Sequence, residues 1–204
     1  ALVLSAASPR AQTASYQPSL KTPESLKPFL ELVEPGNDAF TAEKTAAEIE
    51  ARLAAFGDRL RRMPSRAGDA VGDLLAPAFR GGTLVDPSAT TVSDGPLLVR
   101  RTGQGGAEHV DAGRFRAGFT SWLEGLTAIE VTEFQVVAID RPEGDVTTDV
   151  RFELVGQARD GRVEHVGEWR LRWRHDGGWK ITEWTPTSHV ESRARRPVFT
   201  TLRA

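Results

Sequence analysis

From Val163 the apolar side chains fall on alternate positions, Val163, Trp169, Leu171 and Trp173, while Glu164, Glu168, Arg170, Arg172 and Arg174 take the others. Period two is the mark of a strand with one buried face. Asp176-Gly177-Gly178 then supplies turn chemistry, and Trp179, Ile181 and Glu183 fall on the return strand. A three-residue loop sets His175 opposite Trp179, Trp173 opposite Ile181 and Leu171 opposite Glu183. A two-residue loop would bury Lys180 against Trp173, so burial selects the first register.

The upstream run Val146 to Ala158 extends the same pattern. A two-residue Asp160-Gly161 turn sets Phe152 opposite Trp169, Val150 opposite Leu171, Leu154 opposite Gly167 and Gly156 opposite His165. On the other face Arg151 meets Glu168 diagonally and Glu153 meets Arg170. Both turns bury the same face, which predicts a twisted antiparallel meander.

Helical periodicity precedes the strands. Ile49, Leu53, Phe56, Leu60 and Met63 predict a helix over Thr41 to Met63, with Asp38 or Thr41 as its cap and Pro64 as its stop. A shorter helix is expected from about Arg66 to Leu75. Thr83 to Val85 and Leu97 to Arg101 read as short strands, with loop over Asp86 to Gly95. Asp111 caps a third helix with the stripe Phe115, Phe119, Trp122 and Leu126, and a strand follows over Thr127 to Asp140. Helices first and long strands last indicate an α+β fold, with three helices packed on one face of a curved antiparallel sheet.

The expected boundaries are a leader and arm over 1–38, one domain over 39–190 and a tail or linker over 191–204. Within the leader, Leu26 to Val33 reads as an ordered arm or a short helix packing on the body. The opening ALVLSAASPRAQTA reads either as the end of a signal-peptide apolar region with an A-x-A-like site, which makes export to the periplasm or medium the expectation, or as an unstructured Ala-rich leader. The net charge of −2 offers no nucleic-acid surface. The absence of cysteine excludes disulfides, thiolate metal sites and cysteine nucleophiles. No run is long enough for a membrane-spanning helix.

The element order, together with Trp173, Gly177, Gly178, Trp179, Lys180 and Ile181 in the last hairpin, resembles the cone-shaped NTF2-like superfamily, including SnoaL-like and ketosteroid-isomerase-like domains. Leu74-Leu75-Ala76-Pro77-Ala78-Phe79 looks like the end of that family's second helix, and the likeness covers about Thr41 to Pro186. A narrower likeness joins NDAFTAEKTAAEIEARL and the closing ESRARRPVFTTLRA to exported bacterial CRTAC1-like proteins, in which FG-GAP/VCBS propeller repeats and an ASPIC/UnbV segment follow. That likeness implies an accessory domain, with Pro197-Val198-Phe199-Thr200 at the join.

The resemblance implies a pocket between the concave sheet face and the helices, lined here by Trp169, Trp173, His165, Glu183, Phe119 and Trp122, with His189 near the rim and paired with His165. A small apolar ligand is the expected occupant, and no cofactor or metal is expected. Glu183 and His165 are the candidates for proton transfer, should burial raise the carboxyl pKa. The plainer alternative has Glu183 bonded to an indole N–H or an arginine, and it stands first because fold does not fix function. Ketosteroid-isomerase-like catalysis needs a carboxylate base and an acidic donor such as tyrosine, and the one tyrosine, Tyr16, falls in the leader. Scytalone-dehydratase-like chemistry needs paired histidines with aspartate and tyrosine, a set that is incomplete here. Asp111 beside His109 reads as a helix cap rather than an acid–base pair. No HExxH, phosphate-loop or G-x-S-x-G motif occurs.

The expected function is therefore a non-catalytic accessory domain for assembly or small-ligand binding. The alternative is a lyase, isomerase or cyclase acting on a small molecule. Arg170, Arg172 and Trp184 are expected on the outer sheet face, either as the centre of a homodimer interface or as part of a solvated face stabilised by Glu164, Glu168 and Glu153.

Overall fold

The computed structural model of the chain describes residues 24–27, 41–84, 89–102, 109–140 and 145–194. Tyr16, nearly all of the leader and arm, and the end of the tail lie outside the described residues.

Helix α1 runs over Thr41–Arg62. Its Ile49, Leu53, Phe56 and Leu60 are buried, but Met63, past the helix end, is exposed. A 3-10 turn at Pro64–Arg66 leads to α2, Ala67–Gly72. The expected second helix is thus cut short. Leu75 opens a strand instead, β1 over Leu75–Gly82, because its backbone pairs alongside Ile181. Proline at 77 and glycines at 81 and 82 also argue against a helix there.

Strand β2 covers Thr90–Asp94, where a loop was expected, and pairs with β3 over Leu97–Thr102. A two-residue β4, His109–Val110, precedes α3 over Ala112–Leu123. Asp111 caps α3 by accepting a hydrogen bond from the backbone N–H of Arg114 at 2.8 Å. Four long strands follow: β5 Leu126–Asp140, β6 Val146–Ala158, β7 Gly161–His175 and β8 Trp179–Ala194. The last strand runs well into the expected tail, since β3 pairs with it from His189 to Ala194.

The strand order is β2-β3-β8-β7-β6-β5, and β1 joins β8 in parallel beside β3. Apart from that pair the sheet is antiparallel, with the helices packed on its concave face, so the α+β expectation holds. The sheet curves because its strands carry bulges, which bend a strand and sharpen its twist. On the edge strand β5 the register slips past Thr127, Glu130 and Val137. Such slips, together with the Glu50 carboxylate that accepts the Val136 N–H, protect an edge that is otherwise open to pairing.

The β7–β8 turn is as expected. His175 faces Trp179, Trp173 faces Ile181, and Gly177 and Gly178 take positive φ values of 61° and 139°. Beyond it the register departs. Thr182 is an extra residue on β8, so Arg172 faces Glu183 and Leu171 faces Trp184. Thr187 is a second extra residue, and after it Gly167 faces His189. Each threonine hydroxyl donates to the carbonyl opposite it, Thr182 to Arg172 at 3.2 Å and Thr187 to Glu168 at 2.9 Å.

The β6–β7 hairpin differs by two residues from expectation. Ala158 faces Gly161, which sets Val150 opposite Trp169 and Phe152 opposite Gly167. A shift of two keeps every side chain on its face. The physical reason lies in volume: the Phe152 ring covers the bare backbone of Gly167 and then stacks on Trp169 diagonally, with centroids 4.0 Å apart.

Two glycines therefore predict opposite outcomes. A Cβ on Gly167 would stand 2.2 Å from the Ser188 carbonyl oxygen. Gly167→Ala should destabilise the fold by about 2 kcal/mol or more in urea unfolding, as overpacked cores do. Gly118 sits on the exposed side of α3, where an added Cβ meets nothing within 4 Å. Gly118→Ala should stabilise by roughly 0.5–1 kcal/mol through helix propensity.

Candidate functional site

The concave face of β6, β7 and β8 carries Phe152, Trp169, Trp184, His165 and His189, and α3 lowers Phe115, Phe119 and Trp122 onto them. The rings form one contiguous cluster. Trp169 lies 4.6 Å from Trp184, which lies 5.2 Å from Phe115 and 6.1 Å from Phe119. Trp122 closes the other side, 5.9 Å from Phe152 and 5.3 Å from Phe119. Deeper in the cone, the buried Trp173 indole donates to Thr148 Oγ1 at 2.9 Å. The indole N–H groups of Trp122 and Trp184 are buried without an acceptor.

At the end of this cluster nearest β3, His165 Nδ1 and His189 Nε2 lie 3.1 Å apart. Trp122 covers both imidazoles, at 5.0 Å and 5.6 Å. Burial pushes His165 down to about 3, helped by His189 and the Arg193 guanidinium. Burial also lowers His189, against the opposing pull of Glu191. Both rings are thus neutral at neutral pH, and one ring donates its N–H to the other.

The pocket residues inferred from the sequence divide into two groups. Trp169, Trp173, His165 and Phe119 are buried inside, with Trp122 packed against them. Glu183 is not among them. The bulge at Thr182 turns it to the outer face, where its half-exposed carboxylate accepts from Arg172 at 3.4 Å. The same half-twist places Trp184 inside, fully buried, so it cannot centre an outer interface. Among the described residues, the buried polar side chains are Thr45, Thr102, Thr148 and His165, with no carboxylate. Nor do any three His, Asp or Glu residues among them converge as metal ligands.

Arg170 and Arg172 do face outward, but each meets an acid. Arg170 grips Asp149 through Nε at 2.8 Å and Nη2 at 3.2 Å, which raises the guanidinium pKa. Arg174 pairs with Asp145 in the same way. Sequence reading missed Glu191 and Arg193, which share the inner face with His189 and pair with each other at 3.5 Å. The signal was present in the resumed alternation His189, Glu191, Arg193, but it fell beyond the expected end of the sheet.

No family model matches the chain, and no curated protein matches it; the likeness of its ends to exported propeller proteins therefore finds no support there. Solved structures do match. A protein of Kribbella flavida superposes with a TM-score of 0.50 at 13% identity, over 72% of this chain and 92% of that one. A candidate dehydratase of the NTF2-like family from Streptomyces avermitilis gives 0.46 at 12% identity, over 70% and 94%. A candidate scytalone dehydratase from Novosphingobium aromaticivorans gives 0.47 at 12%, over 79% and 96%. The fold is NTF2-like: helices seated in a cone of curved, mainly antiparallel strands.

Two outcomes follow for this site. An imidazole whose pKa falls on folding holds its proton more readily in the unfolded chain, so the unfolded state binds more protons below its own pKa. Stability should be full above about pH 6.5 and decline as pH falls toward 3, the value to which His165 is pushed. In urea unfolding between pH 7.5 and 5, His165→Phe should remove most of that decline; an unchanged slope would assign it elsewhere. Glu183→Gln breaks only a half-exposed ion pair and should change stability by less than about 1 kcal/mol.

Proposed function

We propose that this NTF2-like domain is a non-catalytic accessory module of an exported protein, whose cone serves as a structural core. The observation that carries this reading is the ring cluster that the described residues build on the concave face. Stacked Phe152 and Trp169, with Trp184, Phe119 and Trp122 around them, pack against one another on the face where the sequence placed a pocket. A proton-transfer site needs an acid and a base with separated roles. Here the carboxylate chosen from the sequence is outside, and the imidazole inside is a weak base. Export rests on the opening residues alone.

The assembly role falls to the outer sheet face. Arg170, Arg172 and Arg174 run down β7, with Asp149 and Asp145 on the β6 side and Glu183 on the β8 side, so the face carries a basic column flanked by acids. A two-fold contact brings the same patch of both copies together, and such an arrangement can pair with its own copy. The homodimer is accordingly proposed around Arg170 and Arg172, without Trp184.

A second reading rests on the 3.1 Å His165–His189 contact with Glu191 beside it, the beginnings of a relay for a lyase, isomerase or cyclase. Proton exchange separates the two. The protein should not accelerate deuterium uptake at the α-carbon of ketones in D2O beyond the level of the His165→Phe variant. Acceleration lost in both His165→Phe and His189→Phe would establish the enzyme. Light scattering should give twice the chain mass, falling to one with Arg170→Asp plus Arg172→Asp; a wild-type monomer would refute the sheet-face assembly.

A further inference from the structure

Outside the cone, α1 runs beside the tip of the β7–β8 hairpin and the corner between α2 and β1. The gap is a groove of about 690 Å³, within the range of small-molecule sites. Its floor is apolar: Ala51, Ala55 and Phe56 of α1, with Leu74 from the corner. Ala51 and Ala55 are exposed, so no side chain of α1 fills the space above them.

One wall is the Trp179 indole. Its N–H donates to Glu48 Oε2 at 2.8 Å, which fixes the plane of the ring. The rest of the wall is cationic. Lys180 Nζ donates to the Asp73 carbonyl at 2.7 Å, and Arg52 Nη2 donates to the same oxygen at 3.0 Å. Arg59 pairs with the Asp73 carboxylate. Three cations thus face the groove against two carboxylates, Glu48 and Asp73, and both carboxylates are already engaged. Each cation is anchored by one bond and retains further donors, since an ammonium offers three and a guanidinium five.

We propose that this groove binds a small aromatic carboxylate. The flat ring lies over the alanine floor against Trp179, and the carboxylate accepts from Lys180 and the two guanidinium groups. Fixed cations beside an apolar floor favour this chemistry over a bare anion, which would leave the floor wet, and over a neutral aromatic, which would leave the excess positive charge unmatched. The site lies outside the cone and does not depend on whether the cone is catalytic.

The test follows the Trp179 indole N–H in ¹H–¹⁵N correlation spectra, assigned with Trp179→Phe, as 2-naphthoate is added to millimolar concentration. The cross-peak should move saturably. Lys180→Met should weaken binding at least about tenfold. Ala55→Leu, which fills the floor from an exposed helix position, should abolish it while leaving the unfolding transition in place. 2-Naphthalenemethanol and inorganic phosphate should each bind at least about tenfold more weakly. The proposal is overturned by an immobile cross-peak, by equal binding in both variants, or by a neutral analogue that binds as well as the acid.

Discussion

Two threonines in the last strand each occupy a position that has no partner across the ladder, and the face taken by every later residue follows from them. Thr182 reverses the alternation, and Thr187 restores it. Between the two, Trp184 and Pro186 point inward and Glu183 points out. After them His189 returns to the inner face beside His165. The hydroxyl bonds to Arg172 and Glu168 hold each extra residue against the opposite backbone. A bulge also bends its strand, so the same two residues help to curve the sheet around the helices.

The consequence is an interior built of rings rather than of polar groups. Trp184 enters the cone because of the first bulge and fills the space between Trp169 and Phe115. Had the alternation continued, a carboxylate would stand there instead. The histidine pair survives inside because each imidazole supplies the hydrogen bond that the other lacks, which makes neutral rings tolerable where charged ones are not. The outer face receives the displaced charge, and its arginines find acids on neighbouring strands.

Much of this was legible in the residues. The alternation through Trp169, Leu171 and Trp173 was strong enough to fix the buried face even where the turn at Arg159 and Asp160 shifted the pairing by two. The helix stripes at Ile49, Leu53, Phe56 and Leu60, and at Phe115 and Phe119, were likewise evident. A period-two pattern survives an even slip, so face assignments outlast register errors. By the same arithmetic, one inserted residue changes everything downstream, and nothing in ITEWTPTSH marks which threonine is extra. Pro186 could have served as a clue, since proline inside a strand favours a bulge or an edge.

The sequence by itself determined the fold class, the inward tryptophans at 169 and 173 and the outward arginines, because these depend on local periodicity and on turn chemistry; His165, expected opposite His189, instead faces Glu191 and meets His189 diagonally after the two bulges. Only the tertiary structure decided that Glu183 faces water, that Trp184 is core, that Leu75 begins a strand, and that a cationic groove opens between α1 and the hairpin tip. Those features arise from contacts between segments far apart in the chain: a partner strand chooses where a bulge is accommodated, and Arg52, Asp73 and Lys180 become neighbours only after the sheet has closed against the helix.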